Sequence, residues 1–308
     1  MSISNFAMKS FIIKLIIFFL LFTLIDFSLG FFLQKINNET VKGDIGRNNY
    51  IMNDLVDKDI IIFGSSRAIH HYNPNIIGDL LHMSCYNCGE DGMGVILSYS
   101  RLQAILSRYT PKVVIYDIEP AYDIEKNDNE RYLGKLKPFY PEYNTDVVFV
   151  DVSSTEKYKM WSKLYRFNSQ PVDMSIQRLS LSPITGKDYT YSPLKQTMNY
   201  EPTISPIKNL DIDSLKLKYL KNFIKECKEK DISLFFALSP KFNNRTELDL
   251  LKKMCKEWNV PLLNHFTDMS FNMRKDLFCD QTHLNETGSI YYSKTIAYEI
   301  LSFLSNDT

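Results

Sequence analysis

Three short runs with almost no polar residue limit what this chain can become. They are Ile60-Ile61-Ile62-Phe63, Val113-Val114-Ile115-Tyr116 and the stretch 232–238. A strand without polar alternation needs cover on both faces, which is the situation in a parallel sheet sandwiched by helices. Segments of helical period lie between the runs. Residues 74–83 place Ile76, Ile77, Leu80 and Leu81 on one face, and 95–109 do the same with Val95, Ile96, Tyr99, Leu102, Ile105 and Leu106. Further helices are predicted at 213–228, 247–258 and 288–303, and shorter strands at 85–87 and 261–264. This alternation predicts an α/β fold with helices on both faces of a parallel sheet.

The alternation breaks between 121 and 208, a stretch rich in Tyr, Pro, Ser and Asn with helical patches near 127–137 and 155–170. We read it as an insertion that caps the carboxyl edge of the sheet. Its aromatics suit either sugar stacking or a small core of their own. Ligands of open parallel sheets bind beyond the carboxyl ends of the strands. That rule gathers Ser66, Gly92, the stretch 117–120, Ser239 and His283 along one edge.

The amino end is of another kind. Residues 11–32 are apolar apart from Lys14 and Asp26, long enough to cross a hydrocarbon layer of roughly 30 Å. Lys9 and Lys14 stand at its start with no acid before them, so the positive-inside tendency places the N-terminus in the cytoplasm and the remainder outside. A cleaved signal peptide and a buried core helix are the rival readings; the region Phe27-Ser28-Leu29-Gly30-Phe31-Phe32 is a poor cleavage site. The organisation is then an anchor over 1–35, a polar linker with a lead-in helix over 36–57, and a catalytic-sized domain over 58–308. In the whole chain of 308 residues, 36 Lys and Arg balance 36 Asp and Glu, so bulk charge gives no steering toward nucleic acid. The spacing Cys85-x-x-Cys88 lacks the second half of a zinc set, and small apolar packing beside a glycine-rich turn is its plainer reading. Cys227 and Cys255 lie on two predicted helices and are candidates for a pair, which sequence alone does not show.

Two segments at opposite ends of the domain carry the chemistry. Gly64-Ser65-Ser66-Arg67 closes the first strand, where a strand-to-helix turn exposes a hydroxyl and brings backbone amides close to it. Asp280-Gln281-Thr282-His283 supplies a carboxylate and an imidazole just before the last helix. A serine becomes a useful nucleophile when a base takes its proton and a third group orients that base. Ser66 is the candidate nucleophile with Ser65 as competitor, His283 the base and Asp280 its orienter. Each segment alone has a plainer explanation, a tight turn for the first and a helix cap for the second. Gly92, in Gly89-Glu90-Asp91-Gly92-Met93-Gly94, suits an oxyanion amide beside that of Ser66, or else a glycine-rich helix start. Glu90 and Asp91 would oppose an anion and are expected to point away. Arg67 is a candidate for an anionic substrate group or a surface ion pair, His70 for lining the site, and His71 for an outward position. Metal and organic cofactors are not implied. There is no Gly-x-Ser-x-Gly elbow, Walker loop or His-Glu-x-x-His.

Taken together these segments resemble the SGNH/GDSL hydrolases, whose fold is a flavodoxin-like three-layer α/β/α sandwich. Gly64-Ser65-Ser66 takes the place of the family's Gly-Asp-Ser block, Asn87 to Gly92 that of its oxyanion glycine, and Asp280 with His283 that of its Asp-x-x-His block. Ser65 stands where Asp is usual, a change also tolerated in membrane-anchored members. The third block, which supplies an Asn to the oxyanion hole, is represented by Asp117-Ile118-Glu119-Pro120 and has no Asn. The resemblance implies an esterase or O-acyltransferase without cofactor. With the N-terminal anchor, it is similar to the accessory proteins that acylate cell-envelope polymers, so an acylated saccharide or polymer is the expected substrate and a membrane protein an expected partner. The rival expectation is a catalytically silent member that binds glycan or a partner. A phosphate- or nucleotide-binding flavodoxin-like domain is a third.

Overall fold

The computed structural model describes residues 2–168, 170–179, 184–201, 211–243 and 248–306; the end of the expected insertion and the first residue of the expected helix at 247–258 lie outside these. Strands β1 (Ile60–Gly64), β2 (Cys85–Asn87), β3 (Val113–Asp117), β4 (Ser233–Leu238) and β5 (Leu262–Asn264) form one parallel sheet in the order β2-β1-β3-β4-β5. Ile60 pairs with Cys85 on one side and Val113 on the other. The chain therefore winds one way from β1 to β2 and then the other way to β3. That reversal opens a crevice at the carboxyl ends of β1 and β3.

The apolar runs serve both faces. Ile60, Ile62, Val113, Ile115, Phe235 and Ala237 enter one core, and Ile61, Phe63, Val114, Tyr116, Phe236 and Leu238 the other. After the N-terminal helices α1 (Ser2–Glu39) and α2 (Gly43–Asn49), helices α3 (Ser66–His71) and α4 (Pro74–Leu81) cover the first face. Helix α5 (Val95–Leu106) covers the second. Asn73 sets the start of α4 by accepting from the amides of Asn75 and Ile76, with Pro74 in the first turn.

In the insertion, α6 (Pro120–Asp123) is followed by 3-10 turns at Glu130–Lys135 and Lys137–Phe139 where 127–137 predicts a helix. Gly134 and Pro138 disfavour a continuous α-helix there. A 3-10 turn at Glu142–Asn144, helices α7 (Thr145–Val152) and α8 (Ser154–Lys159), a 3-10 turn at Leu164–Phe167 and α9 (Pro171–Leu179) follow, and the described residues 184–201 add an isolated bridge from Thr185 to Lys42. Tyr132, Leu133, Phe139, Val148 and Phe149 are buried against the α5 side. These aromatics are core, so they are closed to sugar stacking. Helices α10 (Ser214–Glu229) and α11 (Asp249–Trp258) return to the second face, and α12 (Glu286–Asn306) closes the first. Asp213 caps α10 through the amides of Leu215 and Lys216.

Helix α1 runs past its apolar stretch to Glu39 and is long and apolar enough to cross a membrane. The segment after it, read as a linker, is ordered: α2 passes into a π-turn at Tyr50–Asp54 whose Ile51 and Met52 are fully buried. All five cysteines are free thiols. Cys227 and Cys255 are buried without pairing, and burial pushes both thiols up to about 12.

Gly64 ends β1 at φ +138°, and a Cβ there would lie 2.6 Å from the Asp117 carbonyl oxygen. No L side chain suits that backbone. Gly64→Ala should therefore lower the unfolding free energy by about 1–3 kcal/mol or more; an unchanged urea midpoint would contradict this account of the turn.

Candidate active site

Ser66 is the first residue of α3, so its amide has no acceptor within the helix. Its hydroxyl Oγ lies 2.8 Å from Nε2 of His283, which is 217 residues away in sequence. On the other side of the ring, Nδ1 lies 2.9 and 3.1 Å from the two carboxylate oxygens of Asp280. This pattern fixes the tautomer: Nδ1–H donates to Asp280, and Nε2 accepts from the Ser66 hydroxyl. The carboxylate also shapes its own loop. Asp280 Oδ1 accepts the amides of Thr282 at 2.7 Å and His283 at 2.8 Å, an Asx-type turn. Partial burial opposes its charge, yet the His283 and amide hydrogen bonds hold the carboxyl below its usual range. Ser65, the competing hydroxyl, is fully buried.

The loop that presents His283 is held from beneath. His71, expected to face outward, is buried in full. Its Nε2 accepts the amide of Leu284 at 3.0 Å, and its Nδ1 donates to Ser239 Oγ at 3.0 Å. Ser239 Oγ in turn donates to Asp117 at 3.1 Å. Burial, with the nearby His283, Arg67 and His70, pushes the His71 imidazole well below its usual value and keeps it neutral. It is a structural link between the end of β3 and the loop that carries His283.

Arg67 also departs from expectation. Its side chain is sealed from solvent, with Nε 2.8 Å from Glu119 and 3.4 Å from Asp117. Its NH groups donate to the Ile118 and Ser239 carbonyls, and its guanidinium lies 5.3 Å from the Phe266 ring centroid. A cation so enclosed ties α3 to the sheet and is unavailable to substrate. The residue one step along the helix from Ser66 points down into the strand ends; only Ser66 itself points out.

Asp117, at the place of the family's third block, donates nothing to the site. It is fully buried and accepts from Tyr72 Oη and the Ser239 amide, each at 2.9 Å.

His70 lines the site. Its ring stands edge-on to that of His283 at 5.6 Å between centroids. Nδ1 is 2.5 Å from the Ser192 carbonyl and Nε2 3.1 Å from Asp91. Both nitrogens thus face acceptors, which suits an imidazolium. Burial works against the charge, but Asp91, the Ser192 carbonyl and Asp280 raise its pKa above the ordinary value. Asp91 therefore bends over the site toward His70, where the sequence suggests it turns away. Glu90 does turn away, into a pocket of cations: Arg101 at 2.9 Å, Lys135 at 3.0 Å and Arg47 at 3.1 Å.

Gly92 sits at φ +66° in the turn closed by the Met93 amide on the Glu90 carbonyl, a position that favours glycine. The turn is anchored to the strand that leads into Ser66, since the Glu90 amide donates to the Gly64 carbonyl at 3.1 Å. A Cβ at Gly92 would lie 2.7 Å from a terminal nitrogen of Arg131. This exposed guanidinium comes from the insertion and rests over the Tyr122 ring. The sequence offered no periodic or motif signal for Arg131, or for Arg47, which clasps the Asn87 and Gly89 carbonyls at 2.8 Å each from α2.

No protein-family model matches the chain, and no curated protein matches it. Among solved structures, one provisionally described as a lipolytic protein of the G-D-S-L family, from Desulfitobacterium hafniense DCB-2, is 10% identical. It aligns over 78% of this chain and 97% of its own with a TM-score of 0.41. Another, provisionally described as a platelet activating factor from Streptococcus pneumonia, is 12% identical over 93% and 97% with a TM-score of 0.39. At these scores neither likeness bears on function, which must be argued from the site.

The His70 clasp carries a pH signature. Because its folded pKa is raised, its stabilisation is complete below about pH 6.5 and is lost as pH climbs through the raised value. The melting-temperature advantage of the native protein over His70→Gln should thus be largest in mild acid and shrink above neutrality. An advantage that does not vary with pH would show that no charge is involved.

Proposed function

We propose that this chain is a membrane-anchored serine esterase or O-acyltransferase that acts outside the cytoplasm on ester-linked acyl groups of a cell-envelope polysaccharide. One observation carries the reading: Ser66, His283 and Asp280 stand in hydrogen-bonding sequence at 2.8 and 2.9 Å on the carboxyl edge of the sheet.

The steps follow from that geometry. Ser66 Oγ attacks the ester carbonyl while His283 Nε2 takes its proton. Asp280 holds the ring and stabilises the imidazolium that forms. The oxyanion is met by the amides of Ser66 and Gly92. Collapse expels the alcohol, which receives the proton from His283, and leaves an acyl group on Ser66. Water or a polymer hydroxyl, deprotonated by the same imidazole, then releases the acyl group and restores the serine. The acceptor at that second step separates esterase from transferase. The anchor and the extracytoplasmic side rest on the apolar helix and on Lys9 and Lys14 at its start.

The absent third-block Asn bears on rate. Loss of one oxyanion donor costs about 10²–10³ in kcat. Arg131, whose terminal nitrogen lies beside Gly92, is our candidate for a charged donor in its stead. If the oxyanion stays under-stabilised, the second reading gains: a catalytically silent fold that binds glycan, favoured by the buried and fully engaged Asp117.

Labelling of the detergent-solubilised full chain with a fluorophosphonate decides between them. Covalent capture of the native protein that disappears in Ser66→Ala is expected. A native chain that stays unlabelled, with its fold intact, would favour the silent reading. Arg131→Ala should reduce turnover of an aryl acetate by roughly 10²-fold, mostly in kcat; a change confined to KM would remove Arg131 from the oxyanion.

A further inference from the structure

The insertion does more than cap the sheet: it grips the anchor. Asp26 belongs to α1, yet only 8% of it is exposed. Its carboxylate accepts from Ser162 Oγ at 2.5 Å, the Lys163 amide at 2.8 Å and the Leu164 amide at 3.2 Å. One turn later, Gly30 packs so closely that a Cβ there would come within 2.4 Å of Lys163 Cβ. The turn at 162–164 is thereby fixed beside α1 at the level of Asp26 to Gly30.

That level can be placed against a bilayer. The apolar stretch 11–32 spans about 33 Å at 1.5 Å per residue, close to a hydrocarbon thickness of roughly 30 Å. Asp26 lies six residues before its outer end, so about 9 Å inside it. Phe31 and Phe32, beyond Asp26, are 75% and 58% exposed on α1. A bare carboxylate at that depth is costly; the three donors from the insertion remove the penalty. Whatever holds Asp26 must then sit at the same height.

The surface around that grip suits such a place. Trp161, next to the grip, is 71% exposed and stands edge-to-face with Tyr158, which is 61% exposed. Leu164 is exposed as well. Lys157 and Lys163 flank the pair in sequence, and Lys159, between the two rings, is paired with Glu156. Amphipathic aromatics beside lysines are what the boundary between headgroups and acyl chains accepts, and anionic headgroups favour the lysines. An apolar groove of about 370 Å³, lined by Phe22, Leu33, Leu164 and Pro171 among others, continues this surface along α1.

We infer that the segment 158–164 is a membrane-docking surface seated in the headgroup and acyl boundary of the outer leaflet, with lipid as its occupant. This inference rests on the anchored reading given above. It adds that the domain is docked on the bilayer in one orientation instead of swinging on a tether.

The test uses the full chain in vesicles of phosphatidylethanolamine and phosphatidylglycerol. Trp161 emission is taken as the difference between the native protein and Trp161→Phe, which removes the contribution of Trp258. Blue-shifted Trp161 emission that is lost when the acyl chains are brominated near the headgroup is expected. Asp26→Ala should return that emission toward the red while the chain stays in the vesicles. Red, unquenched Trp161 emission in a chain that resists carbonate extraction would overturn the docking and leave the anchor standing. Extraction of the native chain by carbonate would overturn both.

Discussion

Asp117 is the point on which the arrangement of this site depends. It ends the central strand β3 and lies fully buried, where an isolated carboxylate would be untenable. Four groups make the position workable: the Tyr72 hydroxyl, the amide and hydroxyl of Ser239, and the Arg67 guanidinium. They come from the residue after β4 and from the two ends of α3, so satisfying one carboxylate fixes the ends of β3 and β4 and the underside of α3 relative to one another. From Ser239 the connection passes through His71 to the amide of Leu284, beside the base. This buried polar network thus ties the strand ends beneath Ser66 to the loop that carries His283. Removing one partner of such a network leaves an uncompensated charge and is expected to cost several kcal/mol.

The strands, and the pairing of Ser66 with the Asp280–His283 loop, were legible in the chain because local pattern suffices for them. Burial on both faces leaves an unbroken apolar run, and a strand end followed by Gly64-Ser65-Ser66 announces a tight turn. The errors share another origin. Arg67 and His71 lie on a six-residue helix pressed between the sheet and α12. Spacing says that they share or oppose a face, but not which face meets the protein. Asp91 was misread for the same reason, since its partner His70 is reached only after folding. Arg47 and Arg131 come from segments without period or motif, and their targets lie about forty residues away in sequence. The helix expected at 127–137 yielded to Gly134 and Pro138, a local signal that was present in the chain.

A flexible linker would have separated the anchor from the site. The structure has the opposite arrangement. Asn37 on α1 and Asn49 at the end of α2 exchange hydrogen bonds, Asn37 Nδ2 to Asn49 Oδ1 at 3.0 Å and Asn49 Nδ2 to the Asn37 carbonyl at 2.5 Å. Two residues earlier, Arg47 reaches Glu90 and the carbonyls of Asn87 and Gly89. The glycine turn held to Gly64 is thus braced by the same short helix that follows the apolar α1.

Bracing of this kind makes the usual biochemical shortcut unsafe. Trimming the chain to begin at residue 40 would delete Asn37, expose the polar edge of α2 and strip the insertion of its carboxylate cap at Asp26. A secreted fragment prepared that way would keep Ser66, Asp280 and His283, yet its glycine turn would hang from a loosened Arg47. Weak turnover by such a fragment would describe the surgery, and the native geometry is a property of the uncut chain.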